Sequence, residues 1–85
     1  MNYPELALHV DGQWLRRASG GERKVVNPAD GSTLATLPLA GVPELNAAAD
    51  AAARGFAIWR RQSAHERYQI VRRAAELLRQ RAAEI

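Results

Sequence analysis

The apolar residues of this chain change their spacing near residue 40. Before Ala40 they come in short runs cut by Gly, Asp, Asn and Pro, and after it they recur every three or four positions. Side chains alternate faces along a strand but return to the same face after about 3.6 residues along a helix, so the two halves cannot be one kind of element. The chain is thereby confined to strands and turns followed by helices.

In the first half, Leu8-His9-Val10 and Trp14-Leu15 flank Asp11-Gly12-Gln13. Asp-Gly between apolar runs is a strong hairpin signal because both turn positions tolerate positive φ. Strands are expected at about 6–10 and 13–17, with a loop at Ser19-Gly20-Gly21. A second tight turn is expected at Asn27-Pro28-Ala29-Asp30-Gly31, where Pro28 pre-sets φ and Gly31 can take the left-handed position. It joins strands of about 23–27 and 32–38, the latter closed by Pro38, which has no amide proton for a ladder.

In the second half, Leu45, Ala48, Ala49, Ala52, Phe56 and Trp59 mark one face of a helix of about 43–59. Pro43 suits its first turn and Glu44 complements the positive end of its dipole. The many alanines make a thin face, so something should approach closely, with Phe56 and Trp59 packing at the far end. Ser63-Ala64-His65-Glu66 has the form of a capping box and opens a helix of about 64–84. Ile70, Val71, Ala74, Leu77, Leu78 and Ile85 form its apolar face, and Arg72, Arg73, Glu76, Arg79 and Gln80 its outer one. Arg81 to Ile85 are still good helix formers, so the chain is expected to stop inside or near the end of an element.

Composition narrows the function classes. With 85 residues, hydrophobic burial and chain entropy come out near balance. No cysteine and no Cys/His cluster is present to tip it, so the chain is expected to lean on a partner or on the rest of a longer protein. The absence of cysteine also removes a thiol nucleophile. The first residues lack a basic stretch, and Leu6-Ala7-Leu8 is cut short by His9, so neither a signal peptide nor a membrane span is read and a cytoplasmic location is expected. The net charge is +3, but the arginines are spread from Arg16 to Arg81 among glutamates rather than gathered on one face. No nucleic-acid partner is expected from that pattern.

Candidate chemistry is thin. His9 and His65 are far apart in sequence with no ligand set around either, and both read as surface or rim side chains. Ser19-Gly20-Gly21 and Asp30-Gly31-Ser32 lack the G-x-G-x-x-G form that cradles a pyrophosphate, and read as turns. Trp14, Phe56, Trp59 and Tyr68 could stack on bases, yet Phe56 and Trp59 fall in register with an apolar stripe, which favours packing.

The order of several segments is nonetheless specific. Leu8-His9-Val10-Asp11-Gly12-Gln13-Trp14, Val26-Asn27-Pro28-Ala29-Asp30-Gly31, Ala51-Ala52-Ala53-Arg54-Gly55-Phe56-Ala57-Ile58-Trp59, Glu66-Arg67 and Arg73-Ala74-Ala75-Glu76-Leu77-Leu78 follow one another along the chain. Together they resemble the amino-terminal portion of the NAD(P)-dependent aldehyde dehydrogenase superfamily, most closely its succinate-semialdehyde dehydrogenase branch.

That resemblance implies an α/β fold as a whole. Residues 1–85 would be the amino-terminal part of the cofactor-binding domain of a longer chain, short antiparallel strands followed by a helical hairpin. It implies an enzyme that oxidises an aldehyde to a carboxylic acid with NAD or NADP, through a cysteine thiolate and a glutamate-assisted hydrolysis, as a homodimer or homotetramer. The catalytic and cofactor-binding residues would all lie outside this segment, and the segment alone would be inactive. Backbone carbonyls matching Val25 and Val26 help hold a monovalent cation in some relatives, and are the candidate metal ligands here. Val42-Pro43 departs from the polar residues that often open the family's first helix, which leaves its capping unassigned. Two other readings stand beside this one. The helices could form a small basic interaction module that binds a protein partner or nucleic acid, or the chain could be a naturally short relative that oligomerises through its apolar faces.

Overall fold

The structure, a computed structural model, describes residues 4–85. Strand β1 (Leu8–Val10) pairs antiparallel with β2 (Gln13–Leu15), placing Leu8 opposite Leu15, His9 opposite Trp14 and Val10 opposite Gln13. Asp11 and Gly12 between them have φ of 51° and 75°. Two positive torsions in a two-residue loop match the right-handed twist of the strands it joins. Both strands are shorter than expected. Beyond them an exposed ion pair, Arg16 Nε to Glu5 Oε1 at 3.1 Å, links the two arms of the hairpin.

Strand β3 (Glu22–Val26) pairs antiparallel with β4 (Thr33–Pro38). The register runs from Glu22 opposite Pro38 to Val25 opposite Ala35, then slips so that Val26 faces Thr33. Leu34 is the extra residue of this β-bulge, which locally disrupts the ladder and bends the strand. The connecting turn is closed by its own polar side chains. Asn27 Oδ1 accepts from the Ala29 amide at 2.9 Å, and Asp30 Oδ1 accepts from the Ser32 amide at 2.9 Å and its hydroxyl at 2.7 Å. Gly31 takes the left-handed position with φ of 76°. Pro38 ends β4 as expected, but pairing continues past it: Gly20 N–H donates to Leu39 O and Leu39 N–H to Gly21 O, both at 2.9 Å.

Helix α1 spans Val42–Trp59 and α2 spans Ala64–Gln80. The expected second helix ran to about 84, but Arg81 leaves helical torsions at φ −103° and ψ 15°, and Ala82–Glu84 form a 3-10 turn. There Glu84 N–H donates to Arg81 O at 2.9 Å. Such tightening satisfies carbonyls that the end of an α-helix leaves unpaired.

The chain divides into two compact units, Met1–Ala53 and Arg54–Ile85. The first holds both hairpins and the start of α1. The second holds the rest of α1, α2 and the terminal turn. Among the described residues Pro38 alone is buried, and no apolar side chain forms a core. Phe56 and Trp59, expected to pack at the far end of α1, are 63% and 37% exposed. Leu45 on α1 and Ile70, Val71 and Leu78 on α2 are exposed as well.

Candidate functional site

The most organised polar cluster lies in the first unit, where the loop after β2 meets the start of α1. Gly41 precedes the helix, and its carbonyl accepts from Leu45 N–H at 3.1 Å. Glu44 stands three residues later, the position from which a carboxylate reaches back to the helix's first amides. Its Oε2 accepts from Gly41 N–H at 3.0 Å. Gly41 has no side chain to complete a capping box, and Ser19, 25 residues earlier, completes the fastening. Its amide donates to Glu44 Oε1 at 2.6 Å and its hydroxyl to Oε2 at 2.5 Å.

Three donors on one carboxylate favour its charged form. The Ser19 hydroxyl, with the Ser19 amide next and the Gly41 amide adding, holds the Glu44 carboxyl at about 2, well below its ordinary 4.5. This clamp is the answer to the capping left open by Val42-Pro43. A glutamate three residues after a glycine was the visible half of the signal. The serine that completes it is too distant in sequence to be read.

The second helix is fastened as expected. Ser63 Oγ accepts from Glu66 N–H at 3.1 Å, and Ser63 N–H donates to Glu66 Oε2 at 2.7 Å.

Val25 and Val26, the candidate cation ligands, straddle the β3–β4 register slip, with Val25 half-buried and Val26 53% exposed. The residue this bulge leaves unpaired is Leu34 on β4, while Val25 and Val26 both keep partners, Ala35 and Thr33. Two carbonyls are only part of a coordination shell for a hard cation, and among the described residues no group of three or more His, Cys, Asp or Glu could add to them.

His9 lies against Trp14 across the first hairpin, ring centroids 4.6 Å apart and planes tilted by 59°, and both are exposed. His65 sits 6.2 Å from the Tyr68 ring on α2. The first unit holds His9 and the second His65, so neither unit brings the two imidazoles together.

In the second unit Trp59, Tyr68, Val71 and Ala75 line an open groove of about 580 Å³, edged by Arg67, Arg72 and Arg79. Arg72 is engaged within its own helix: it donates to Tyr68 Oη at 3.0 Å and pairs with Glu76 at 3.4 Å. Arg73 pairs with the same Glu76 at 3.6 Å. Arginines tied to carboxylates three and four residues away make a solvated helix face, as the sequence suggested.

Among the described residues, no helix is long and apolar enough to cross a membrane. Short antiparallel strands that lead into two helices fit a segment of an α/β enzyme domain. The aldehyde dehydrogenase family model matches residues 14–85, from β2 through the terminal turn, and the chain belongs to the aldehyde dehydrogenase family. No solved structure matches the chain.

Proposed function

We propose that this chain is the amino-terminal part of the cofactor-binding domain of a longer enzyme that oxidises an aldehyde to a carboxylic acid with NAD or NADP. The family match over residues 14–85 carries this reading. The uncovered apolar stripes of α1 and α2 support it, because they are surfaces the rest of such a chain would bury. The order of short motifs favours succinate semialdehyde as the substrate. The enzyme works in the cytoplasm as a homodimer or homotetramer, and Val25 and Val26 contribute backbone carbonyls to a monovalent-cation site completed elsewhere. In this reading the 85 residues are scaffold. They supply no thiolate, because the sequence contains no cysteine, and they orient the start of α1 through the Ser19–Glu44 clamp.

The test is aldehyde-dependent formation of reduced cofactor by the natural gene product, with succinate semialdehyde compared against shorter and uncharged aldehydes and NAD against NADP. The expected result is turnover by the natural product and none by the 85-residue chain. Turnover by the 85 residues alone, or no turnover of any aldehyde by the natural product, overturns the reading. Rates that do not change between potassium, sodium and a bulky organic cation overturn the cation assignment.

A further inference from the structure

The two helices are each fastened by a serine and a glutamate, and both serines follow paired arginines: Arg16-Arg17-Ala18-Ser19 and Arg60-Arg61-Gln62-Ser63. Guanidiniums two and three residues ahead of a hydroxyl are what a kinase groove lined with carboxylates selects, since charge pattern sets kinase–substrate specificity. The two sites are alike in sequence and different in structure.

Arg60, Arg61 and Gln62 follow α1 in the hydrogen-bonded turn that closes it. Their amides donate to Phe56 O at 2.9 Å, Ile58 O at 3.1 Å and Trp59 O at 3.1 Å. A kinase needs its substrate extended, so this stretch would have to unwind first. Arg17 and Ala18 lie outside regular structure, and Arg16, Arg17 and Ser19 are exposed. The Arg16–Glu5 pair is solvent-exposed on both sides, the kind of ion pair that costs little to exchange for another carboxylate.

We propose that Ser19 is a phosphorylation site for a basophilic serine kinase, and that its modification releases the clamp at the start of α1. In the reaction Ser19 Oγ attacks the γ-phosphorus of ATP. The new Oγ–P bond forms as the bond to the β-phosphate bridging oxygen breaks, ADP leaves with that electron pair, and the hydroxyl proton passes to the kinase's aspartate. The product has lost the proton that Ser19 Oγ donates to Glu44 Oε2 across 2.5 Å. Phosphoryl and carboxylate oxygens are both acceptors, so no rotamer restores that bond, and a charge of about −2 now faces the carboxylate. Glu44 is driven off Ser19, and Gly41 N–H loses the carboxylate that holds it at 3.0 Å.

The experiment treats the natural gene product with ATP, magnesium and the catalytic subunit of cyclic-AMP-dependent protein kinase, locates phosphate by peptide mass spectrometry, and follows amide exchange. In the folded protein Ser19 is expected to be modified about tenfold or more faster than Ser63. That gap should close once the protein is unfolded. Arg16→Gln with Arg17→Gln should slow Ser19 modification about tenfold or more, the scale of losing charge-assisted hydrogen bonds to the kinase. Neither change removes a clamp atom. Exchange at Gly41 and Leu45 should rise on phosphorylation, and less so in Glu44→Gln, whose amide can donate to the phosphate. Phosphate appearing on Ser63 as fast as on Ser19 in the folded protein, no phosphate on Ser19, or indifference to the arginine substitutions overturns the site. Unchanged exchange at Gly41 and Leu45 in the modified protein overturns the release.

Discussion

Gly20→Ala tests whether the pairing beyond Pro38 matters to the first unit. A Cβ on Gly20 would fall 2.6 Å from Leu39 O, 2.7 Å from Ala40 O and 2.9 Å from the Ala40 carbonyl carbon. All three are backbone atoms, so no side chain can rotate away. The strand must retreat, opening the bonds of Gly20 N–H to Leu39 O and Leu39 N–H to Gly21 O. Each is worth about 0.5–1.5 kcal/mol net, which makes the loss about 1–3 kcal/mol, the same range as overpacking elsewhere. The assay is urea unfolding of the natural gene product, with Gly55→Ala as the opposite control. Gly55 lies inside α1 with nothing within 4 Å of its would-be Cβ, so alanine should stabilise by about 0.5–1 kcal/mol. A Gly20→Ala protein within about 0.5 kcal/mol of the parent, the usual scatter of a neutral surface change, would refute the argument. A destabilising Gly55→Ala would mean instead that another surface presses on α1 there.

Three further outcomes follow from the polar fastenings. Ser63→Ala should cost about 1 kcal/mol by removing the capping hydroxyl from the Glu66 amide, read as lowered thermal stability; no shift would mean that α2 is held by its packing alone. Glu44 is depressed in the folded state, so its contribution is present above its ordinary 4.5 and is lost as pH falls from there through about 2. A carboxyl NMR titration of Glu44 with a midpoint near 4.5 would show that the clamp does not form. Asp30 is lowered by the Ser32 hydroxyl and then the Ser32 amide, so Ser32→Ala should move its titration upward, and an unmoved midpoint would remove the hydroxyl as the main cause.

Local signals were legible in the sequence and long-range ones were not. Asp11-Gly12, Gly31 and the Ser63–Glu66 box encode their conformations within a few residues, and each is found where it was read. The one-residue shift of β3, the bulge at Leu34 and the pairing of Gly20 with Leu39 depend on strands meeting across a loop, which no local pattern specifies. The Ser19–Glu44 clamp is the sharpest case. Its glutamate is visible from the helix start, while its serine is chosen by the path of the whole second hairpin.

The apolar arc of α2 decides how far the 85 residues can stand alone. Counting about 100° per residue, Leu77, Ile70, Ala74, Leu78, Val71, Ala75 and Tyr68 cover about 180° of the helix, more than the roughly 100° stripe of a helix packed on one side. Ile70, Val71, Tyr68 and Leu78 are each 54% to 60% exposed. Fully burying a large apolar side chain is worth about 1.5–3 kcal/mol, so four left more than half uncovered forgo about 3–6 kcal/mol. That equals much of the 5–15 kcal/mol by which whole domains are stable. On the proposed reading of the chain as part of a longer enzyme, the isolated 85 residues should therefore melt broadly and bind an apolar dye, while the longer protein melts in one cooperative step. A sharp, monomeric and concentration-independent transition in the isolated chain would refute this, because the uncovered arc could not then be a missing part of its stability. A sharp transition whose midpoint rises with concentration would mean that a second copy covers the arc, and would turn the reading towards self-association.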